Sequence, residues 1–541
     1  MHLREPPHHQ RNFLGFKKFS NPWPSAAFPP LSLLLSHAWL GLPKVELKGM
    51  GERDVVVRKP DWGRAAEREQ RGTEEKGRKR GSDAGQGGEE QGLIKGTWLG
   101  HAGAYVELPL SPFHPSSSSR QPTLKLLFDP IFSSRAGPTS FTGPKRVKEA
   151  PCKVAELPGV DAVFVSHNHY DHLDLQTIVD VHKKWPRTLF FAGLGNKPFF
   201  LALGIPSEQV FEMDWWDEET FPVEHFLPFH RNRSRNSKEE SEELVRVTCV
   251  PAQHTSGRGI FDQRSTLWCG WIVERLVPLT PAHHHHSPSL SPFSSSYDQH
   301  HQHHLEHPSS SSSSSSYLDW ARRPASPSSP PPSPPAMSKR ATISSRSLSL
   351  HNLSKTSSRR RSFSASSAIE LSHGLPSSTA TKKRWLRKGA VYHAGDTGLR
   401  PYSSSPVTCP TFAALGRHFG PFDLSFVPIW RGGTLGFVAA MGMRLKHEYL
   451  PSATHGSPSD AVQIHLDVRS RNTIGMHFGT FSGSTLETLE ALVELREATK
   501  TAEVQGLKGG KKGREGKKGR MGRVDIGETY VVSVRESVVE D

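Results

Sequence analysis

The chain has 541 residues, enough for several domains, but only 35% of them are hydrophobic, well below the roughly 45% of an ordinary globular chain. A large part of the chain should therefore build no core. Its four cysteines are widely spaced, with no Cys-x-x-Cys pair, which argues against a disulfide scaffold or a zinc ribbon and favours a reducing compartment. Much of the formal net charge of +15 lies in low-complexity segments, so charge alone favours neither nucleic acid nor an anionic membrane.

The N-terminal part, residues 1–92, reads as a partly disordered extension. Its stretch 21–42 is apolar but short and interrupted by prolines, so we expect it to pack on a domain or to contact a membrane surface. No run of 18 or more apolar residues occurs, and no transmembrane helix is predicted. The first twenty residues carry four basic groups and one acid, a balance compatible with organelle targeting. We predict an intracellular, peripheral membrane protein in the mitochondrion, with the cytoplasm as the alternative.

The densest group of candidate metal ligands directly follows a predicted buried strand, residues 161–165. His167 and His169 have i, i+2 spacing and can reach one metal site, whereas Asp171 and His172 follow where the chain turns and can reach a second. Imidazole suits zinc and iron, and a carboxylate adds a hard oxygen ligand and a base. Histidine tracts elsewhere lie among serines and prolines, but this cluster ends a strand. Two adjacent metals favour hydrolysis of a phosphoester or acyl bond.

A long Ser-, Pro- and His-rich segment, residues 275–387, interrupts the regular part of the chain. Such a segment cannot bury enough apolar surface to offset its ordering entropy, so we interpret it as a disordered insertion. Both flanks read as strands, which predicts that the insertion loops out from a hairpin at the domain surface. Loop-closure entropy grows slowly with length, so its cost should be modest.

Three further predicted strands, 245–250, 390–394 and 472–476, each run into a histidine or an aspartate. In chain order these residues are His254, Asp396 and His477. Asp396 lies in a Gly-Asp-Thr-Gly loop whose glycines let the backbone approach a metal closely. Taken one at a time, a polar residue after a strand is usually an ordinary loop residue, but here four such sites occur in a fixed order.

That order, His-x-His-x-Asp-His followed by His, Asp and His, resembles the ligand series of the metallo-β-lactamase fold. The first metal would be held by His167, His169 and His254, the second by Asp171, His172 and His477, with Asp396 between them. A hydroxide between the ions would be the nucleophile, and Asp171 would orient it or accept a proton. We therefore predict an α/β fold, an αββα sandwich built from residues 93–274 and 388–539.

Longer segments narrow the resemblance. The metal motif extends to Ser-His-Asn-His-Tyr-Asp-His-Leu-Asp over 166–174, and further matching pieces are 21–24, 97–102, 129–134, 143–146, 214–216, 419–424 and 477–481. These are similar to the N-acyl-phosphatidylethanolamine-hydrolysing phospholipase D family. The resemblance implies two zinc ions and hydrolysis of the phosphodiester to N-acylethanolamine and phosphatidic acid. It also implies a substrate contact for Tyr170 and the second active-site histidine for His455.

Read from the residues alone, these two positions leave alternatives open. His455 precedes a predicted helix near Ser457 with Pro458 in its first turn, where an imidazole could bind a phosphate oxygen or protonate a leaving group. It could equally be a loop histidine without a role, and Tyr170 could be a packing aromatic. His101, after another predicted strand, is assigned to support of the site, and the tryptophans of 214–216 to packing.

Two other functions compete with the phospholipase. The basic charge favours a nuclease or another phosphodiesterase of the same fold, although no appended RNA-binding module is recognisable. The His-rich insertion favours a non-enzymatic metal-binding scaffold, which leaves the complete ligand series unexplained. The predicted partners are a phospholipid substrate and a membrane surface, without nucleic acid, and a homodimer is left open.

Overall fold

The computed structural model describes residues 6–12, 14–27, 53–65, 92–111, 122–227, 243–279, 384–430, 451–481, 485–507, 516 and 518–540. Most of the predicted insertion, residues 280–383, lies outside the described residues. So does 28–42 of the stretch expected to pack on the domain or to contact a membrane. A short N-terminal hairpin, β1 (His9–Arg11) and β2 (Lys17–Phe19), begins the described part.

Two mixed sheets follow. The first contains β3 (Leu93–Gly100), β4 (Gly103–Pro109), β5 (Thr123–Phe128), β6 (Ala162–Val165), β7 (Leu189–Gly193), β8 (Val210–Met213) and β16 (Thr529–Ser533). Their spatial order is β16, β3, β4, β5, β6, β7, β8, and the pairs from β5 to β8 are parallel. In β6, Ala162 and Phe164 belong to one hydrophobic cluster and Val163 and Val165 to another. This strand is buried on both faces, which explains its continuous apolar sequence.

The second sheet contains β9 (Glu218–Pro222), β10 (Leu244–Val250), β11 (Gly270–Pro278), β12 (Arg384–His393), β13 (Leu424–Pro428), β14 (Asn472–Met476), β15 (Arg520–Gly522) and β17 (Ser537–Glu540). Their order is β15, β14, β13, β12, β11, β10, β9, with β17 paired to β12. Strands β12 to β15 run parallel to one another. In each sheet, the loops that follow the parallel strands lie at the same edge of the sheet.

Helices cover the sheets. They are α1 (Leu175–Lys184), α2 (Lys197–Ala202), α3 (Val223–Phe226), α4 (Thr411–His418), α5 (Pro458–Asp467) and α6 (Thr485–Thr501). Ile178 of α1 and Phe200 of α2 share a cluster with Val163 of the first sheet, whereas α5 packs on β13 between α4 and α6. The sheets meet through ring contacts such as Phe164 with Trp271. The predicted αββα sandwich is confirmed.

The hairpin predicted to carry the insertion is also present. β11 and β12 pair antiparallel from Trp271 opposite His393 to Pro278 opposite Trp385. The strands therefore include residues at both ends of the range 275–387 that the sequence assigned to the insertion. The chain leaves and re-enters the sheet at neighbouring positions.

The described parts of the N-terminal extension pack on the sandwich. Phe19 N donates to the Arg264 carbonyl at 2.9 Å, and Ser25 Oγ donates to Gln253 Oε1 at 2.5 Å. Farther along, Asp525 is fully buried and accepts hydrogen bonds from Arg53 and Arg58. Residues 21–27 therefore pack on the domain, one of the two roles expected for 21–42.

Candidate metal centre

The loop after β6 is held in place before it supplies any candidate ligand. Asp129, at the end of β5, accepts two hydrogen bonds from Ser166, from the backbone N–H and from Oγ, each at 2.7 Å. Asp129 has a φ of 39°, a left-handed conformation that is uncommon outside glycine. These two hydrogen bonds fix the position at which the chain leaves β6 and therefore the position of His167.

Three of the predicted ligands form a first group. His167 Nε2 lies 2.8 Å from His169 Nδ1, and His254 Nε2 lies 3.3 Å from the same atom. Burial, together with the neighbouring histidines, holds the pKa of His167 well below its ordinary value. Burial also holds the pKa of His254 well below its ordinary value. Both rings are therefore neutral at neutral pH, the state in which imidazole binds a metal.

The other predicted ligands form a second group around Asp396. Asp396 Oδ2 lies 3.0 Å from His477 Nε2 and 3.1 Å from His172 Nε2, and these two nitrogens are 3.3 Å apart. Asp171 Oδ2 lies 3.8 Å from His477 Nε2 and 3.7 Å from His172 Nε2. The structure thus brings all seven predicted ligands together, from four loops.

Asp396 connects the two groups. Its Oδ2 is also 3.7 Å from His254 Nε2, while its buried Oδ1 makes no hydrogen bond with any residue that the structure describes. Burial raises the pKa of this carboxyl, but His172 and His477 outweigh burial and hold it well below its ordinary value. A buried carboxylate with an unsatisfied oxygen among imidazole nitrogens fits divalent cations of the zinc type.

Hydrogen bonds on the far side of the rings set which nitrogen faces the centre. His254 Nδ1 donates to the Thr454 carbonyl at 2.8 Å, and His172 Nδ1 donates to Asp129 Oδ2 at 2.9 Å. Each bond leaves Nε2 directed at the centre. A carbonyl or carboxylate behind a histidine is the usual support of a metal ligand. No local pattern predicts the pairing between Asp129 and His172, because the residue directly after β5 supplies one partner and the loop after β6 the other.

Comparisons with known proteins agree with this geometry. A family model described as a β-lactamase superfamily domain matches residues 125–303. The chain contains a metallo-β-lactamase superfamily domain. The N-acyl-phosphatidylethanolamine-hydrolyzing phospholipase D 1 of Caenorhabditis elegans is 34% identical over 187 residues, 34% of this chain and 44% of the worm protein. The mitochondrial N-acyl-phosphatidylethanolamine-hydrolyzing phospholipase D of Saccharomyces cerevisiae is 30% identical over 167 residues, 31% of this chain and 29% of the yeast protein.

The chain matches less than half the length of either relative. Among solved structures, a metallo hydrolase from Ignicoccus hospitalis aligns with 81% of this chain and 98% of its own at 11% identity and a TM-score of 0.34. CmlA, a diiron β-hydroxylase from Streptomyces venezuelae, aligns with 83% and 55% at 12% identity and the same TM-score. Scores this low support no conclusion about function.

In the metallo-β-lactamase domain, His101 has the supporting position expected for it. Its Nε2 lies 2.8 Å from Asp171 Oδ2, and its ring is 4.0 Å from that of His477. Burial and the nearby His477 lower the pKa of His101 to about 4. A neutral His101 can donate its Nε2–H to Asp171 and hold that carboxylate toward the second group.

Replacing His101 with alanine should therefore lower metal affinity or hydrolysis by about 10- to 100-fold, because Asp171 loses the donor that orients it. Metal titration followed by chemical analysis and a rate assay would measure both. His465→Gln is the matched control, since His465 is buried and hydrogen-bonded to Thr473 and the Lys518 carbonyl. Equal effects of the two substitutions would show that His101 contributes only to the fold.

His455 lies at the edge of the centre, directly before α5. Its Nδ1 is 3.7 Å from Asp396 Oδ2 and its ring 4.9 Å from that of His254. The helix begins as predicted: Ser457 Oγ accepts from the Asp460 N–H while Asp460 accepts from the Ser457 N–H, a reciprocal cap that fixes the preceding residue. Burial lowers the pKa of His455 to about 4.

Tyr170 packs against a small apolar cluster of Ile131, Ala136 and Phe481. The guanidinium carbon of Arg258 lies 4.2 Å from the centre of the Tyr170 ring, a cation–π contact. Arg258 was not singled out from the sequence. The available signal was a basic residue four positions after His254. No local pattern predicts that its side chain contacts Tyr170.

The tryptophans of 214–216 do not reach the centre. Trp215 is buried and stacks with Trp23 at 5.4 Å, whereas Trp216 is 37% exposed. Packing is therefore the role of Trp215, as predicted. Among the described residues, no helix is both long and apolar enough to cross a membrane.

Proposed function

We propose that the chain is a zinc-dependent phospholipase D that hydrolyses N-acyl-phosphatidylethanolamine to N-acylethanolamine and phosphatidic acid. The observation that carries the proposal is the position of Asp396 between two groups of donors, His167, His169 and His254 on one side and Asp171, His172 and His477 on the other. The names of the worm and yeast relatives support the choice of substrate.

The two groups would hold two Zn²⁺ ions, which when bound lower the pKa of water toward neutrality and neutralise charge on the phosphate. Around them the chain's own residues position the substrate. Asp171, held by His101 at 2.8 Å, accepts a hydrogen bond from the attacking water and orients it. Tyr170 and the neighbouring Arg258 line the side where the phosphodiester enters.

His455 acts on the substrate as a hydrogen-bond donor. Burial lowers the pKa of His455 to about 4. The ring is therefore neutral at neutral pH and carries a single N–H. Its Nδ1 is buried and makes no hydrogen bond with a described residue. Of the two roles open from the sequence, binding a phosphate oxygen fits these properties better than delivery of a proton from an imidazolium.

A membrane surface is the second proposed partner, and the loop after His254 supports it. Ile260 and Phe261 are 87% and 96% exposed, and the same loop carries Arg258, which contacts Tyr170. Lys18 Nζ donates to the Phe261 carbonyl at 3.4 Å, so the N-terminal hairpin lies against this loop. Exposed aromatic and aliphatic side chains beside lysine suit an anionic bilayer. The mitochondrion stays the proposed compartment, supported by the name of the yeast relative.

Replacing Ile260 and Phe261 together with serine should weaken binding to anionic phospholipid vesicles by more than about tenfold, because each side chain contributes roughly 1.5–3 kcal/mol when buried. Vesicle co-sedimentation measures the change. Hydrolysis of detergent-dispersed substrate should stay unchanged. Leu201→Ser, at a half-exposed apolar position on α2, is the control, and an equal loss there would argue against a specific membrane-contacting loop.

One experiment tests the reaction itself. Purified protein is incubated with N-acyl-phosphatidylethanolamine and, separately, with a single-stranded RNA, each with and without a chelator. We expect chelator-sensitive release of phosphatidic acid and intact RNA. Cleavage of RNA with untouched lipid would favour the nuclease instead, and no cleavage of either in zinc-replete buffer would contradict the proposal.

Shortening the insertion separates the enzyme from the metal-binding scaffold. Because Pro278 and Trp385 are paired, residues 280–383 can be replaced by a short Asn-Gly turn. Lipid hydrolysis should persist, and the free energy of unfolding should rise by about 3 kcal/mol, since a long loop costs closure entropy. Rate assays and urea unfolding measure both. Loss of hydrolysis from a folded variant would place the function in the insertion.

A further inference from the structure

A separate group of metal donors joins the N-terminal hairpin to the first sheet. His8 Nε2 lies 2.7 Å from Asp214 Oδ1, and His9 Nε2 lies 2.8 Å from Asp214 Oδ2. The three donor atoms lie within 4.8 Å of one another and share no residue with the candidate metal centre. The sequence patterns predict no chemical role for the His8–His9 segment or for Asp214.

The side chains of this group are held in place by their surroundings. His8 stacks on Trp215 with ring centres 4.3 Å apart, and His9 meets the Phe19 ring edge-on at 5.3 Å. The backbone N–H of Trp215 donates to Asp214 Oδ1 at 2.9 Å, which fixes the carboxylate. The donors are therefore positioned before a ligand arrives, which lowers the entropy that binding would cost.

Two properties suit this group to a metal ion. First, His9 Nε2 is buried and faces the Asp214 carboxylate at 2.8 Å, with no other hydrogen-bond partner among the described residues. Second, the side chains of His8, His9 and Asp214 are 6%, 10% and 19% exposed, so a small ion can enter and keep a water. Two imidazoles, one carboxylate and a solvent position complete a tetrahedral zinc site.

We infer that His8, His9 and Asp214 bind a zinc ion that fastens the N-terminal hairpin to the domain. A chain of hydrogen bonds also links this site to the candidate metal centre. Trp215 Nε1 donates to the Trp268 carbonyl at 2.6 Å, and Trp268 Nε1 donates to Asn21 Oδ1 at 3.1 Å. Asn21 Nδ2 in turn donates to the His254 carbonyl at 2.8 Å. Zinc at the hairpin therefore stabilises the segment that supports His254.

The test uses the full-length chain stripped with a chelator and then equilibrated with zinc chloride. Zinc per chain is measured by mass spectrometry for the wild type, for Asp214→Asn and for the double substitution His8→Ala and His9→Ala. We expect each variant to hold one zinc ion fewer than the wild type. The control replaces His225 and His418, two exposed histidines, with alanine and should match the wild type. Histidines of the insertion contribute the same background to every variant.

Hydrogen exchange adds a readout that does not depend on the number of bound ions. Zinc should slow amide exchange in residues 6–19 several-fold in the wild type and not in Asp214→Asn, whose amide keeps the shape of the side chain. Asp396→Ala should retain this zinc-dependent protection, so failure of the proposed phospholipase reaction leaves the inference standing. Two results would overturn the inference. One is equal zinc content in the wild type and Asp214→Asn, and the other is amide exchange in residues 6–19 that does not change when zinc is added.

Discussion

Replacing Asp396 with alanine should abolish hydrolysis of N-acyl-phosphatidylethanolamine and release at least one zinc ion per chain. Asp396 Oδ2 lies within 3.7 Å of three proposed ligands, His172, His254 and His477. Changes around a metal ligand cost about 10- to 100-fold, and loss of the carboxylate shared by both groups should exceed that range. Substrate turnover and zinc analysis measure the two effects, and His167→Ala should also abolish hydrolysis.

The fold should survive this substitution. Asp396 lies in a loop after β12, and its Oδ1 makes no hydrogen bond with a described residue, so little of the sandwich depends on it. Far-ultraviolet circular dichroism should match the wild type. Asp180→Asn is the matched control and should keep full activity, because Asp180 lies on α1 and accepts a hydrogen bond from Gln176 at the surface. Full activity of Asp396→Ala or of His167→Ala would refute the proposed metal centre.

Replacing Glu274 with alanine should lower the free energy of unfolding by about 3–5 kcal/mol, the cost of leaving a buried charge without its partner. Glu274 lies in β11 and is fully buried. Its Oε1 accepts from Arg387 Nη1 of β12 at 2.9 Å, and its Oε2 accepts from Arg246 Nη2 of β10 at 2.7 Å. The carboxylate therefore joins three strands next to the point where the insertion leaves the sheet.

Urea unfolding measures this loss, and Glu218→Ala provides the comparison. Glu218 Oε2 lies 3.6 Å from Arg246 Nη1, but its side chain is 41% exposed. A surface pair of this kind contributes about 0–1 kcal/mol, so the two glutamates differ in burial while sharing a partner. Equal losses for both variants would show that burial of Glu274 does not set the strength of the interaction.

Much of the candidate centre was predictable because its ligands follow strands with a clear local pattern. The apolar run before His167 and the alternating run before His254 both form strands, β6 and β10. Ser457 and Pro458 also begin α5, as their sequence predicts. Each of these features depends on residues a few positions apart, and periodicity and capping report on that range.

The supporting contacts were largely not predictable. Asp129 contacts His172 across 43 positions of the chain, and the Arg258 guanidinium lies over the Tyr170 ring. His101 was assigned a supporting role, but its partner Asp171 was not identified. Such pairs carry no local signature, because a single aspartate or arginine in a loop occurs for many reasons. Only the register of the sheets decides which loops face each other.

The amino-acid sequence alone therefore determined the strands that carry the candidate ligands, since these follow from local periodicity. It indicated the αββα class through the resemblance of the ligand order to the metallo-β-lactamase fold. The tertiary structure decided that Asp396 lies between the two groups, that Asp129 and His101 contact His172 and Asp171, and that His8 and His9 meet Asp214. These are contacts between distant segments. Their formation depends on how two buried sheets pack, which no short window of sequence contains.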